Sequence, residues 1–235
     1  MKKLKIAIIT YNTNNKDVIR PVGHYNPEWD YFCFTDNPEF HHLVYQPILL
    51  EKIDDWEKQY RRIMKTRWLT HKAKELKKHD IHVVHDGNIQ IISNLQPLID
   101  KAIGGFYILD HWLGCVYEAF EMKRKMISEG KQYLDTIENL NKHETLYKKR
   151  KFPKKYGYWS CNTQIRDMRE EKVISCLEEW EKEYDQGSYR DQLSLPMAVL
   201  KSGIGEKLIV GDGHALNSEE FKRHFKYHFH LSNNH

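Results

Sequence analysis

The sequence predicts an α/β fold built on an at least partly parallel sheet. Two observations carry that reading. Short apolar runs alternate along the chain with longer segments of helical periodicity. The first run, residues 4–10, is almost continuously apolar and rich in isoleucine, the pattern of a strand buried on both faces. A third observation bears on function. Polar clusters follow three of the strands, at Tyr11-Asn12, Thr35-Asp36-Asn37 and His85-Asp86-Gly87-Asn88. In open α/β sheets ligands bind beyond the carboxyl ends of strands, so neighbouring strands would pool these clusters in one crevice.

Each element has a local reason. The polar stretch YNTNNKD closes the first strand, and residues 29–38 read as a second strand ending in a Thr-Asp-Asn-Pro turn. From Asp54 a helix is expected through residue 79, with Asp54 and Glu57 as a capping box and Trp56, Tyr60, Ile63, Met64, Leu69, Ala73 and Leu76 near helical spacing. IHVVHDGNIQII, residues 81–92, reads as a strand, a break and a second extended run. A short helix near Ser93, a strand over 104–111, a helix stopped by Gly130 and a charged helix from Gln132 to Tyr147 follow. YGYWSCNTQIRD is a strand candidate, and Val173, Ile174, Leu177, Trp180 and Tyr184 mark an amphipathic helix ending by Gly187. SYRDQLSLPMAVLKSG predicts a helix with Pro196 in its first half. KLIVGDG predicts a late strand, and Asn217 with Glu220 a capping box on a last short helix.

Length and composition set bounds. A chain of 235 residues with 40% hydrophobic residues can bury a core without staples. The mean hydropathy is low, −0.75. Six Trp, nine Phe and 14 Tyr nevertheless supply large apolar bodies, which argues against disorder. A net charge of +4 requires no nucleic-acid partner. Cys33, Cys115, Cys161 and Cys176 form no C-x-x-C pair and read as reduced thiols of a cytoplasmic protein. No apolar run is long enough to span a membrane, and the apolar stretch after the two N-terminal lysines is too short for a signal peptide. P-loop, dinucleotide-binding, zincin and nucleophile-elbow motifs are absent.

Five constellations have both a structural and a functional reading. Asp86-Gly87-Asn88 suits a plain turn, or offers two oxygens at i and i+2 to a hard cation. Arg61, Arg62, Lys65 and Arg67 form a solvated basic face, or meet a diphosphate through charge-assisted hydrogen bonds. Asp191, three residues after Ser188, completes a capping box, or projects into the crevice. His224, His228 and His230 are ordinary side chains, or one of them completes a metal shell. KKRKFPKK, residues 148–155, is a solvated loop, or grips an anionic polymer or membrane.

Taken in order, IAIITYN, YFCFTDN, RRIMKTRW, HVVHDGNIQI, HWLGCVYEAF and RDQLSLP resemble a GT-A-type glycosyltransferase. They are most similar to a glycosyltransferase-like family of plant and bacterial mucilage and cell-wall proteins, with related small enzymes in large algal viruses. The resemblance covers roughly residues 4–200. It implies a GT-A-like (Rossmann-like) mixed, mostly parallel sheet in one domain over 1–235, with a nucleotide-binding part to about residue 110 and an acceptor-side part from 111. It implies a metal-assisted hexosyl- or pentosyltransferase moving sugar from a nucleoside-diphosphate sugar to a glycan or glycoconjugate. Tyr11, Asn12 and Asp36 would border base and ribose. Arg62 and Lys65 would meet the diphosphate. Asp86, Asn88 and a late histidine, taken as His228, would hold Mn²⁺ or Mg²⁺. His111 and Glu118 would line the sugar or acceptor side, and Asp191, with Gln192 beside it, would face the reacting sugar. Asn88 stands where the family has a second carboxylate, which keeps open a non-catalytic nucleotide- or glycan-binding module of the same fold. No nucleic-acid partner is expected, and peripheral membrane contact stays open.

Overall fold

Strand β1, Ile6–Asn12, sits at the heart of the sheet. Its residues alternate between two apolar layers: Ile6 and Ile8 join one cluster, Ala7 and Ile9 another. The structure is a computed structural model that describes residues 3–51, 53–131, 135–214 and 217–230. After β1 come β2, Asp30–Thr35, and β3, Gln46–Leu49. Helix α1, Trp56–Thr66, precedes β4, Ile81–His85, and β5, Ile89–Ile91. Then follow α2, Gln96–Ala102, β6, Phe106–Asp110, α3, Val116–Ser128, and α4, Ile137–Lys149. The chain continues through β7, Trp159–Asp167, α5, Glu171–Gln186, α6, Leu195–Ser202, and β8, Leu208–His214. Helix α7, Glu219–His224, and β9, Phe225–Tyr227, complete the described elements.

Seven strands form one sheet in the order β3-β2-β1-β4-β7-β6-β8. All pairs are parallel except those of β7, which runs antiparallel to both β4 and β6. The carboxyl ends of β1, β2, β4 and β6 and the amino end of β7 therefore share one edge. Helix α2 and the small β5–β9 sheet cover one face. Helices α1, α5 and α6 cover the other, where Trp68 stacks on Trp180 at 4.7 Å. A third cluster joins α3 and α4 to Tyr158, Leu193 and Met197.

Several boundaries differ from the sequence expectation. Helix α1 starts from Asp55, whose carboxylate accepts the Lys58 N–H at 3.0 Å, and not from Asp54. It also stops at Thr66, well short of residue 79. The buried Arg166 guanidinium takes the carbonyls of Arg67 and Trp68 at 2.8 and 3.1 Å, which satisfies that helix end. Ser218, and not Asn217, caps α7, accepting from Phe221 N at 2.9 Å. The charged helix begins after Thr136; its expected start at Gln132 lies outside the described residues. In KKRKFPKK, Lys148 and Lys149 end α4, Arg150 pairs with Glu183, and Phe152 is buried. All four cysteines are free and buried. Among the described residues no helix is long and apolar enough to cross a membrane.

Candidate active site

At the shared sheet edge lies a cavity of about 490 Å³, a size typical of small-ligand sites. Three elements build it. The first is the loop after β1. Asn14 and Asn15 hold φ of 54° and 49°, and Lys16 N–H returns to Thr13 O at 3.2 Å, the pattern of a tight I′-type turn that asparagine tolerates. Asn12 ties this loop in two ways, donating to Asp17 O at 2.8 Å and accepting from Asp17 N at 3.1 Å. Asp36, from the end of β2, accepts Asn14 N–H at 3.0 Å. Asn12 and Asp36 thus hold the loop, while Thr13, Asn14, Lys16 and Asp17 line the cavity.

The second element is the break after β4. Ile89 N–H bonds to Asp86 O at 3.0 Å, so residues 86–89 form a turn. Gly87 is required there, because a Cβ would stand 2.5 Å from Tyr11 O. His85 is no part of the site. It is buried against Tyr45, 3.0 Å from its hydroxyl, and burial lowers its pKa to about 4, keeping it neutral. Asp86 lines the cavity, receiving the Tyr11 hydroxyl and Arg67 Nη2 at 2.6 Å on its Oδ1.

The third element is the end of α1 with the segment before α6. Arg67 lies just past α1 and spans two carboxylates: Nη1 is 2.9 Å from Asp191 Oδ2, and its guanidinium also packs 5.1 Å from the Tyr11 ring centroid. Its side chain is only 11% exposed. Burial opposes its charge, but Asp191 and Asp86 outweigh that and raise its pKa. Burial pushes the Asp191 carboxyl above its ordinary range, Arg67 opposes and Asp86 adds to it. These directions agree: one guanidinium neutralises one carboxylate, and the second is in excess. Asp191 is not capped to Ser188, whose hydroxyl goes to Asp135. Trp180 Nε1 donates to the Asp191 carbonyl at 2.9 Å, and Gln192 to Trp159 O at 2.7 Å. Asp191 itself does not line the cavity; its carboxylate is buried and held by Arg67.

Lys16, Arg67 and Arg190 all line the cavity. Burial lowers the Lys16 pKa, Asp17 opposes, and Arg190 and Arg67 depress it further, the signature of cations crowded around a shared space. Tyr11, Tyr60, Ile63 and Met64 give it an apolar wall. The basic residues expected to meet a diphosphate sit elsewhere. Arg62 reaches Glu51, and Lys65 pairs with Asp185 at 2.7 Å and Glu181 at 3.5 Å on α5. The face of α1 they occupy turns away from the sheet edge, whereas Arg67, one helical step on, turns toward it. Lys16 carried no sequence signal beyond its loop, and Arg190 was marked only as the neighbour of Asp191 in RDQLSLP.

The acceptor-side candidates lie along the β6 end. His111 follows β6, and Glu118 is exposed in the first turn of α3. His228 turns to Gln90, 3.0 Å from its Oε1, while His230 lines the cavity and meets Asp17 at 2.6 Å. Asn88 is 3% exposed; its Nδ2 donates to His228 O at 2.9 Å and lies 3.4 Å from His230 Nε2, and its Oδ1 has no partner among the described residues. Among the described residues no three His, Cys, Asp or Glu side chains could hold a metal together. Asp86 and His230 line the cavity, and the buried Asn88 lies beside His230 with its amide oxygen unpartnered among the described residues. That donor set fits a hard divalent ion shared with ligand phosphates, with His230 in place of His228.

No protein-family model and no curated protein matches the sequence. Solved structures are similar, two glycosyltransferases among them. Mouse xyloside xylosyltransferase 1, in its apo form, aligns over 89% of this chain and 86% of its own, at 10% identity and a TM-score of 0.49. The bifunctional glycosyltransferase WbbM, also apo, aligns over 89% of this chain at 9% identity and a TM-score of 0.50. The fold is similar to that of WbbM. The chain spans 39% of the length of WbbM, and identity this low speaks to architecture alone.

Proposed function

We propose that the protein is a glycosyltransferase that uses a nucleoside-diphosphate sugar. The observation that carries the reading is the convergence of Lys16, Arg67 and Arg190 on one cavity at the carboxyl ends of parallel strands. Cleavage of a sugar–diphosphate bond leaves negative charge on the diphosphate. Fixed cations in a partly desolvated pocket stabilise that charge without reorganising. The aromatic and aliphatic wall of Tyr11, Tyr60, Ile63 and Met64 suits the nucleoside.

A divalent ion, Mn²⁺ or Mg²⁺, would be held by Asp86, Asn88 and His230 and would add Lewis-acid stabilisation of the leaving diphosphate. Arg67 binds phosphate and thereby loosens its hold on Asp191. Asp191, already raised in pKa by burial, then has a basicity suited to taking the acceptor hydroxyl proton.

The test is a panel of nucleotide-sugars assayed for release of nucleoside diphosphate, with and without Mn²⁺. Turnover of one donor is expected, lost in Asp191→Asn while nucleotide binding persists. Asn88 in place of an acid, and the shielding of Asp191 behind Arg67, favour a second reading as a nucleotide-binding module. Tight nucleotide binding with no turnover of any donor would select it.

A further inference from the structure

Trp112 is 61% exposed, unusual for an indole. Lone exposed apolar residues need no explanation, but this one sits on a hydrogen-bonded turn. It occupies the corner of a turn closed by Gly114 N–H to His111 O at 3.0 Å, and Gly114 adopts φ 61°. His111 braces the turn: its N–H bonds to Asp110 Oδ1 at 2.9 Å and its Nδ1 accepts Leu113 N–H at 3.2 Å. The imidazole stacks on the indole at 5.8 Å and 27°, and is itself held edge-on by Tyr158 at 4.7 Å. One indole face is thus supported by protein while the side chain stays largely open to solvent.

The position of the turn gives it a ligand. Asp110, at the end of β6, pairs with Trp159, about 4.8 Å away across the ladder. Trp159 O receives Gln192, the neighbour of Asp191; Cys161 O faces Arg67 at 3.4 Å; Asn162 O takes Asp86 N–H at 2.9 Å. Along the start of β7 the order is therefore Asp86, Arg67, Asp191, and then the Trp112 turn. The phosphate-binding cations lie at one end of this line and the indole at the other, beyond the carboxylate.

We propose that Trp112 is the stacking platform for the acceptor, taking the face of a pyranose ring. The weakly positive C–H bonds on one side of a sugar ring complement the negative face of an indole. The inference rests on the glycosyltransferase reading and extends it to an acceptor subsite. His111 is a positioning residue for the platform.

The test uses saturation-transfer NMR with a set of methyl pyranosides as probes, and calorimetric titration with inorganic pyrophosphate as the donor-side control. In wild-type protein, saturation should concentrate on the protons of one sugar face. Trp112→Ala should weaken pyranoside binding about tenfold or more, Trp112→Tyr should restore most of it, and both should bind pyrophosphate as wild type does. Unchanged pyranoside binding in Trp112→Ala, or no pyranoside binding to wild type, overturns the proposal. Loss of pyrophosphate affinity in both variants also overturns it, by putting the indole on the donor side. Failure of wild type to bind pyrophosphate counts separately, against the glycosyltransferase reading itself.

Discussion

Replacing Arg67 with methionine removes the one cation that spans Asp86 and Asp191. The two contacts, 2.6 and 2.9 Å, involve a guanidinium 11% exposed and an Asp191 side chain 4% exposed. Breaking a buried pair by deleting one partner costs about 3–5 kcal/mol. Here protonation of Asp191 limits the loss. Taking up a proton at pH 7, roughly three pH units above an ordinary aspartate, costs about 4 kcal/mol, and at pH 5 about 1.5 kcal/mol. The sign follows from the direction of the shift. A carboxyl raised in the folded state binds its proton more tightly there than when unfolded. Folding is then favoured at low pH and loses stability as pH rises through the raised value. Arg67→Met should therefore melt roughly 8–16 °C below wild type at pH 7 and about 3–6 °C below at pH 5. Thermal unfolding at both pH values, followed by circular dichroism, measures this. A loss equal at the two pH values, or under about 1 kcal/mol at pH 7, refutes the shared-cation account of Arg67.

Three further outcomes are expected. Gly87→Ala brings a Cβ to within 2.5 Å of Tyr11 O, so the turn must move; calorimetry should find nucleoside-diphosphate affinity down at least tenfold, and wild-type affinity would contradict the packing. Arg62→Ala and Lys65→Ala remove partly exposed ion pairs on the α1 surface, so each should change stability by under about 1 kcal/mol and leave nucleotide affinity unaltered. A large affinity loss in either would return the diphosphate to that face. Arg166→Met leaves the carbonyls of Arg67 and Trp68 unsatisfied in a buried site, which should cost about 3 kcal/mol or more in urea unfolding.

The parts of the fold legible in the sequence are those buried on both faces. β1, β2, β4 and β6 give largely apolar runs because neighbours cover them from above and below. β3 and β9 escaped notice for the opposite reason: β3 is an edge strand carrying Pro47, and β9 has only three residues, two of them exposed. The end of α1 was also hidden. Leu69, Ala73 and Leu76 continue an inward-facing pattern past Thr66, and the guanidinium that ends the helix comes from β7. Asp86 and Tyr11 were readable as site residues because they stand at strand ends. Arg67 was passed over for Arg62 and Lys65, since all are basic and only the exact turn of helix decides which one faces the crevice. Asn12 and Asp36 were found in the right loop, yet they hold it and do not face the cavity.

The central claim is that Lys16, Arg67 and Arg190 form a cradle for two linked phosphates. Calorimetric titration of wild-type protein with matched nucleoside mono- and diphosphates tests it most directly. Diphosphates should bind at least tenfold tighter, with the advantage shrinking at high salt and vanishing in Lys16→Ala/Arg190→Ala. Equal affinity for both ligands, or an advantage that survives the double substitution, would contradict it.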